Sequence, residues 1–301
     1  MGERLEYAAA WLLLKTLGVL PRPVARTVGA WVAAVALFLG PSRRHTALFN
    51  LRLAFPEWSD ARRRRTLRRL MRHLGWMAAE LAQFPKYTRE NIEHIVVLDG
   101  VENFVAAERR GKGVLLLTGH MSAWELGPFV ASIYGHPVHF LVRPIDNARV
   151  EALVNRYRCL RGNSPIEKNR SARILLKALR EGGTVGILAD QNTMLEEGVF
   201  VDFFGVPAST TTGLARIALY TDAAVVPVYV YWDASLRKYR LRFEPAMELV
   251  RSDDQGRDIR ENTARFTGVI EDYVRRFPDQ WLWLHRRWNT RPPGERPLYP
   301  F

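Results

Sequence analysis

The sequence predicts a mixed α/β fold: a largely parallel central sheet flanked by helices, with an apolar helical membrane anchor at the N-terminus. Three observations predict it. From about residue 90, short apolar runs of strand length alternate with longer segments of helical periodicity, the pattern of an at least partly parallel sheet. Three of these runs end in a polar group, His120, Arg143 and Asp190. Parallel strands put such ends on one edge, where open α/β sheets hold ligands. Residues 5–40 are the most apolar part of the chain and are punctuated by Pro21, Pro23 and Gly40-Pro41. The expected organisation is apolar membrane-associated helices over 1–40, a basic helical segment over 41–90 and an α/β domain over 91–301.

Residues 5–20 and 24–39 read as two helices with proline-bounded ends. Lys15 and Arg26 interrupt them, so neither is a clean run of the roughly 20 apolar residues that span a bilayer. No small-residue cleavage site follows a lone apolar core, so a signal peptide is not expected. The helices lie in the membrane interface or insert part-way, and the second is able to span if tilted. A buried helical hairpin within the body of the protein is the alternative. Residues 59–84 form a third helix, capped by Ser59 or Asp60. Leu67, Leu70, Met71 and Leu74 recur at helical spacing and leave the arginines on the other faces.

Beyond residue 90 the expected order is a strand at 92–98 and a helix at 101–110 stopped by Gly111. A strand at 114–117 and a helix at 121–134 follow, then a strand at 138–142 and helices at 147–159 and 170–181. A strand at 184–188, a helix at 211–221, strands at 224–231 and 239–243 and a helix at 259–276 complete it. No internal repeat is present.

Length and composition narrow the function. A chain of 301 residues, 48% apolar and 25% charged, has the balance of a globular protein with a sizeable core. Its net charge of +13 is not ordinary and calls for a nucleic acid, an anionic membrane or an acidic protein as partner. Seven arginines fall within residues 62–72. Next to an apolar N-terminus they fit anionic headgroups, at about 1 kcal/mol per charge near a membrane surface, better than a plain solvated face. No RNA- or DNA-binding motif supports nucleic acid, and none is expected as a partner. Cys159 is the sole cysteine, which rules out an intramolecular disulfide and a cysteine-based zinc site.

The stretch 113–127 carries the strongest chemical signal. An apolar strand passes through Thr118-Gly119 to His120, and Glu125 follows five positions later. With a helix over 121–134, His120 stands near its start and Glu125 about one turn in. A carboxylate there can reach the imidazole, hold its tautomer and stabilise the imidazolium, the logic of a base that activates a hydroxyl. A histidine at a helix start with a surface glutamate is the plainer reading. Arg143 can bind phosphate or carboxylate as a fork, or pair with Asp146 or Asp190. Arg156, Arg158 and Arg161 offer a second anionic site. Asp190-Gln191, after its apolar strand, can cap the next turn. Phe200, Phe203 and Phe204 more often belong to a core than to a ligand pocket, although an apolar tunnel needs the same residue types. Residues 209–212 and Gly213 open a helix whose free N–H groups can hold an anion, although a plain cap is the simpler role. Trp281, Trp283 and Trp288 with His285, Arg286 and Arg287 form an aromatic–basic patch that suits a headgroup interface or packing under the sheet.

Four stretches in order carry a family resemblance. They are His120-x4-Glu125 after its strand; Val142-Arg143-Pro144-Ile145-Asp146-Asn147; Ala189-Asp190-Gln191-Asn192 with Val201-Asp202-Phe203-Phe204-Gly205-Val206-Pro207-Ala208; and Trp281-Leu282-Trp283-Leu284-His285-Arg286-Arg287-Trp288. Over residues 5–293 the chain resembles the late lipid A (lauroyl/myristoyl) acyltransferases of the glycerolipid acyltransferase superfamily. The resemblance implies transfer of a fatty acyl chain from a thioester to a hydroxyl of a lipid A precursor, at the cytoplasmic face of the inner membrane. His120 is then the general base and Glu125 its orienting carboxylate. An arginine near Arg158, taken before Arg161, helps binding or catalysis, Arg143 binds substrate, and Asp190 and Gln191 line the site or hold the acceptor. The co-substrate is acyl carrier protein or coenzyme A thioester, both acidic. No cofactor is expected, and no metal, since the chain lacks a ligand set. A mannolipid or other glycolipid acceptor is the nearest alternative. Relatives of that kind commonly carry Asp where this chain has Glu125, which tilts the reading to lipid A. A non-catalytic basic protein of the membrane surface is the alternative of another class.

Overall fold

Proline and glycine divide the first ninety residues into four helices in the computed structural model, which describes residues 2–167 and 171–299. Helix α1 is Gly2–Val19 and α2 is Arg22–Leu39, with Pro23 in its first turn, where the missing N–H costs nothing. Gly40 ends α2, and Pro41 opens α3, Pro41–Ala54, inside the basic segment expected to be helical, though its bounds were not read from the sequence. Helix α4, Asp60–Gln83, begins where expected: Ser59 caps it by accepting from the backbone N–H of Arg62 at 3.3 Å.

These helices are packed on the body of the protein. Gly29 of α2 meets Gly75 of α4 so closely that a Cβ on Gly29 would lie 2.3 Å from the Gly75 carbonyl oxygen. Above that contact the Arg26 guanidinium sits 4.0 Å from the Trp76 ring and 4.2 Å from the Trp232 ring, a cation–π clamp. Arg22 donates to buried Glu80 at 2.9 and 3.1 Å, and the Tyr87 hydroxyl donates to the same carboxylate. The outer faces are apolar and bare: Leu5, Trp11 and Leu12 of α1 and Trp31, Phe38 and Leu39 of α2 are exposed. Gly29→Val is expected to cost about 1–3 kcal/mol by overpacking. A thermal melt in detergent checks it, and an unchanged Tm would show that α2 is not seated on α4.

The remaining elements build the sheet. They are β1 Val96–Asp99, α5 Val101–Glu108, β2 Val114–Thr118, α6 Leu126–Ile133, β3 Val138–Val142, α7 Ala148–Arg158, β4 Ser164–Glu167, α8 Ser171–Arg180 and β5 Thr184–Leu188. After them come β6 Gly198–Phe203, β7 Val206–Thr211, α9 Gly213–Thr221, β8 Ala224–Asp233, β9 Lys238–Phe243 and α10 Gln255–Arg276. Among the described residues the main sheet has seven strands in the order β1-β9-β8-β2-β5-β3-β4. Strands β8, β2, β5, β3 and β4 are parallel, and β9 turns back on β8 and pairs in parallel with β1. The mixed, largely parallel sheet is the one expected. Strands β6 and β7 form a separate antiparallel hairpin.

Alternation along the strands sorts the core to both faces. Leu115, Leu117, Val185 and Ile187 pack with α3, α8, α9, α10 and the C-terminal tryptophans. Val114, Leu116, Val226 and Val228 pack with α1, α5, α6 and α7. Helix α4 supplies buried residues to both.

Several boundaries differ from expectation, and one matters. The helix expected over 121–134 begins only at Leu126. Met121 makes an antiparallel bridge to Trp281, and Ser122 takes a left-handed backbone with φ 48°. Tertiary pairing therefore unwinds the first five residues, and Glu125 stands at the cap of α6 and not one turn inside it. Strands β4, β6 and β7 were not expected: β4 holds a proline, and the β6–β7 hairpin follows a turn at Phe204-Gly205. The expected helix at 170–181 is seen as Ser171–Arg180, and its expected first residue, 170, lies outside the described residues.

Candidate active site

Strands β2 and β5 are neighbours, parallel and in equal register, with Thr118 opposite Leu188. His120 and Asp190 each stand two residues past these strand ends, so the topology sets them side by side. His120 Nδ1 lies 2.7 Å from Asp190 Oδ1, and the His120 backbone N–H donates to Oδ2 at 2.7 Å. The Trp281 indole N–H donates to the same Oδ2 at 2.7 Å. The close approach needs Gly119, whose Cβ would fall 3.1 Å from Asp190 Oδ2.

Burial alone would raise the Asp190 pKa. The charge of His120 and the hydrogen bonds from His120 and Trp281 outweigh it and hold the group down at about 2. A carboxylate ionised at neutral pH accepts the Nδ1–H, which leaves Nε2 free to take a proton.

Glu125 is held elsewhere in this structure. Its oxygens accept from Arg158, Nε at 2.9 Å and Nη2 at 2.5 Å, a bidentate fork. The expectation that Glu125 holds the imidazole rested on a helix from residue 121. With that turn unwound, Glu125 faces α7, and Asp190 is the carboxylate that bonds the imidazole. Arg158, set above Arg161 on resemblance, is the arginine that reaches the site, while Arg161 donates to the Tyr87 carbonyl. Of the three strand-end groups, two converge. Arg143 lines the mouth of the same cavity but its side chain is 86% exposed, and its recorded partner is Asp146 at 3.7 Å, the alternative role weighed for it. The Gln191 amide nitrogen is 3.4 Å from Nε2 and 3.5 Å from Nδ1 of His120, nearly equidistant. It therefore lies across the ring and not in the plane of a lone pair.

The aromatic–basic C-terminal stretch is interior. Trp281, Trp283, Trp288 and Arg287 are buried, so packing, and not a headgroup interface, is their role. Leu282 N–H donates to the His120 carbonyl at 3.0 Å, and Ser122 N–H to that of Gln280 at 2.6 Å, tying this stretch to the turn that carries His120. Arg287 donates to the Ser209 carbonyl at 2.7 Å, and burial pushes its guanidinium down to about 10. The sequence reading missed Trp281 as a partner of Asp190. The repeated offset of two residues between strand end and polar group, at 118/120 and 188/190, was the signal that pairs His120 with Asp190.

His120, Trp124, Glu125, Arg158, Gln191 and His285 share the wall of a cavity of about 1040 Å³. Its inner part is apolar, formed where α6 faces β2, β3, β8 and β9. Burial lowers the pKa of His285 to about 4 and that of His73 on α4 to about 3. Both are neutral in the fold but protonate below about 6.5 when unfolded, so the unfolded chain binds more protons between these values. Stability is therefore expected to fall as pH drops from 6.5 toward 4, and His73→Phe to flatten the fall. Thermal melts across that range check it: a wild-type Tm that does not decline would contradict the two buried neutral imidazoles. Among the described residues no three His, Cys, Asp or Glu side chains are grouped as a metal site requires.

The family profile described as bacterial lipid A biosynthesis acyltransferase matches residues 3–290. The chain is similar to the lipid A biosynthesis palmitoleoyltransferase of Escherichia coli K12, 29% identical over 296 residues that cover 96% of this chain and 94% of the relative. It is similar to the lauroyltransferase of the same organism, 29% identical over 288 residues, 94% of this chain and 90% of the relative. With its myristoyltransferase it shares 26% identity over 305 residues, 98% and 93% of the two chains. Matched over nearly its whole length, the chain belongs to the bacterial lipid A biosynthesis acyltransferase family.

Proposed function

We propose that the protein moves a fatty acyl chain from an acyl thioester to a hydroxyl of a lipid A precursor, with His120 as general base and Asp190 as its orienting carboxylate. Family membership supports acyl transfer to lipid A. The observation that carries the mechanism is the buried Asp190–His120 pair at the head of a cavity with an apolar interior. His120 Nε2 takes the acceptor hydroxyl proton as the oxygen attacks the thioester carbonyl carbon. The tetrahedral oxyanion collapses, the C–S bond breaks, and the thiolate leaves with the proton from the imidazolium. Arg158, held at the cavity wall by Glu125, then supplies positive charge for the developing oxyanion in this reading. Glu125 thus positions the arginine and not the histidine. Arg143 at the cavity mouth is placed to receive an acidic group of the substrate. Gln191, across the imidazole face, borders the acceptor.

The donor is acyl carrier protein or coenzyme A thioester, and both suit a chain of net charge +13. The relatives named above bear lipid A names, which favours that acceptor over a mannolipid and an enzyme over a non-catalytic membrane protein. Incubating the purified protein with lipid A precursor and acyl thioester, and weighing the lipid by mass spectrometry, tests the reading. One added acyl chain that disappears in His120→Ala supports it, and no mass change with any thioester overturns it.

The exposed apolar faces of α1 and α2 and the exposed arginines of α4 seat the protein on the cytoplasmic face of the inner membrane. By length and composition α2 alone among the described helices could cross a bilayer, yet Arg26 and Gly29 bind its first half to the body. Deleting 1–40 would strip cover from buried Phe84 and Ala82 as well as the anchor, so surface substitution is the cleaner experiment. Trp31→Ser with Phe38→Ser is expected to shift protein from the membrane to the soluble fraction. High salt alone should release the wild type poorly, because apolar burial is not screened. Clean release of the wild type by salt would leave the arginines as the sole anchor.

A further inference from the structure

Gly186 sits in the middle of β5, a central buried strand, where glycine weakens the strand and offers no side chain to the core. Packing does not demand it. A Cβ there would meet Val138 Cγ1 at 3.4 Å and Phe140 Cβ at 3.9 Å, ordinary contacts, and its φ is not in the left-handed region. In the sheet, Leu116 lies opposite Gly186 on one side and Phe140 on the other. The row thus reads large, nothing, large, and all three residues line the cavity that begins at His120. Ala131 of α6, itself small, lines the cavity too. Gly186 precedes Asp190 by four residues, so the notch lies about 13 Å below the His120–Asp190 pair at about 3.3 Å per residue. That depth takes roughly ten carbon–carbon bonds of an extended chain, each about 1.5 Å before its zigzag is projected.

We propose that Gly186 forms the floor of the acyl cavity and so sets how long a chain the protein accepts. The inference rests on the acyl-transfer reading. A thioester carbon held at His120 points its tail down the apolar channel, and the space left by the missing side chain admits its last carbons. Filling the notch removes room for the end of a long chain and leaves a shorter one untouched. One methylene in an apolar pocket is worth about 10- to 200-fold in discrimination.

The test is a graded series of saturated acyl thioesters, short to long, given in turn to wild type, Gly186→Ala and Gly186→Val. The ratio of long-chain to short-chain kcat/KM is expected to fall about tenfold in Gly186→Ala and further in Gly186→Val, with the Tm of Gly186→Ala no lower than wild type. Should Gly186→Val not fold, Ala131→Leu on the facing wall takes its place, with the same expected direction. A folded, active Gly186→Ala whose ratio stays within about twofold of wild type, well below one methylene's worth, overturns the proposal. So does a folded variant inactive with every donor, since a floor acts on length alone. Displacement of a fluorescent fatty acid by free fatty acids of graded length gives a readout without turnover. Wild type that transfers no chain but shows a length cut-off moved by Gly186→Ala would sink the acyl-transfer reading and keep the floor. Transfer with an unmoved cut-off would do the reverse.

Discussion

His120→Ala is expected to lower acyl transfer by about 100- to 10,000-fold, the usual worth of a positioned general base, while the protein keeps its fold. Removing the imidazole takes one of three hydrogen bonds from buried Asp190. The backbone N–H of residue 120 and the Trp281 indole still hold the carboxylate, so it is not left as an unpaired buried charge. Circular dichroism and a thermal melt establish the fold, and single-turnover transfer of a labelled acyl chain measures the loss. Turnover near the wild-type level in folded His120→Ala would rule out His120 as the base.

Asp190→Asn should be as damaging, by about 1,000- to 10,000-fold, although the side chain keeps its shape. The aspartate accepts all three of its hydrogen bonds. The amide has one oxygen, which the backbone N–H and the indole claim, and its NH2 then faces Nδ1. Nδ1 must accept, the proton moves to Nε2, and the nitrogen that faces the acceptor hydroxyl can no longer take a proton. Raising the pH cannot restore the tautomer, so the rate loss should persist across the alkaline range. Because Asp190 is held down at about 2, below its ordinary 3.8, its stabilising contribution is complete above about 4 and is lost only as pH falls through about 2. Glu125→Gln should be milder, since it breaks the Arg158 fork and leaves the Asp190–His120 pair intact. If Glu125→Gln proved crippling and Asp190→Asn nearly neutral, the two carboxylates would have to exchange roles.

Much of this was legible in the sequence because it is written in local pattern. Apolar runs of strand length put β2, β3, β5 and β8 where they are, within a residue or two. Ser59 announced the start of α4, and Pro23 and Gly40-Pro41 announced the limits of α2. Polar groups at strand ends marked His120 and Asp190 as residues of one edge. Three features lay beyond local pattern. Residues 121–125 have helical composition, but pairing with Gln280 and Trp281, some 160 positions away, unwinds them. The tryptophans suit an interface and packing equally in the sequence, which cannot say which side of an indole faces protein, and burial decides for packing. The β6–β7 hairpin is held by its own cross-strand ladder and by Arg287 from the C-terminal stretch.

The sequence by itself determined the α/β class, the apolar and basic N-terminal helices, and the place of His120 at a strand end, because periodicity, capping and strand-end polarity act between near neighbours. Only the tertiary structure decided which carboxylate meets His120. Hydrogen bonding across 70 positions depends on the register of two parallel strands, which sets Asp190 at 2.7 Å from Nδ1 and leaves Glu125 to Arg158.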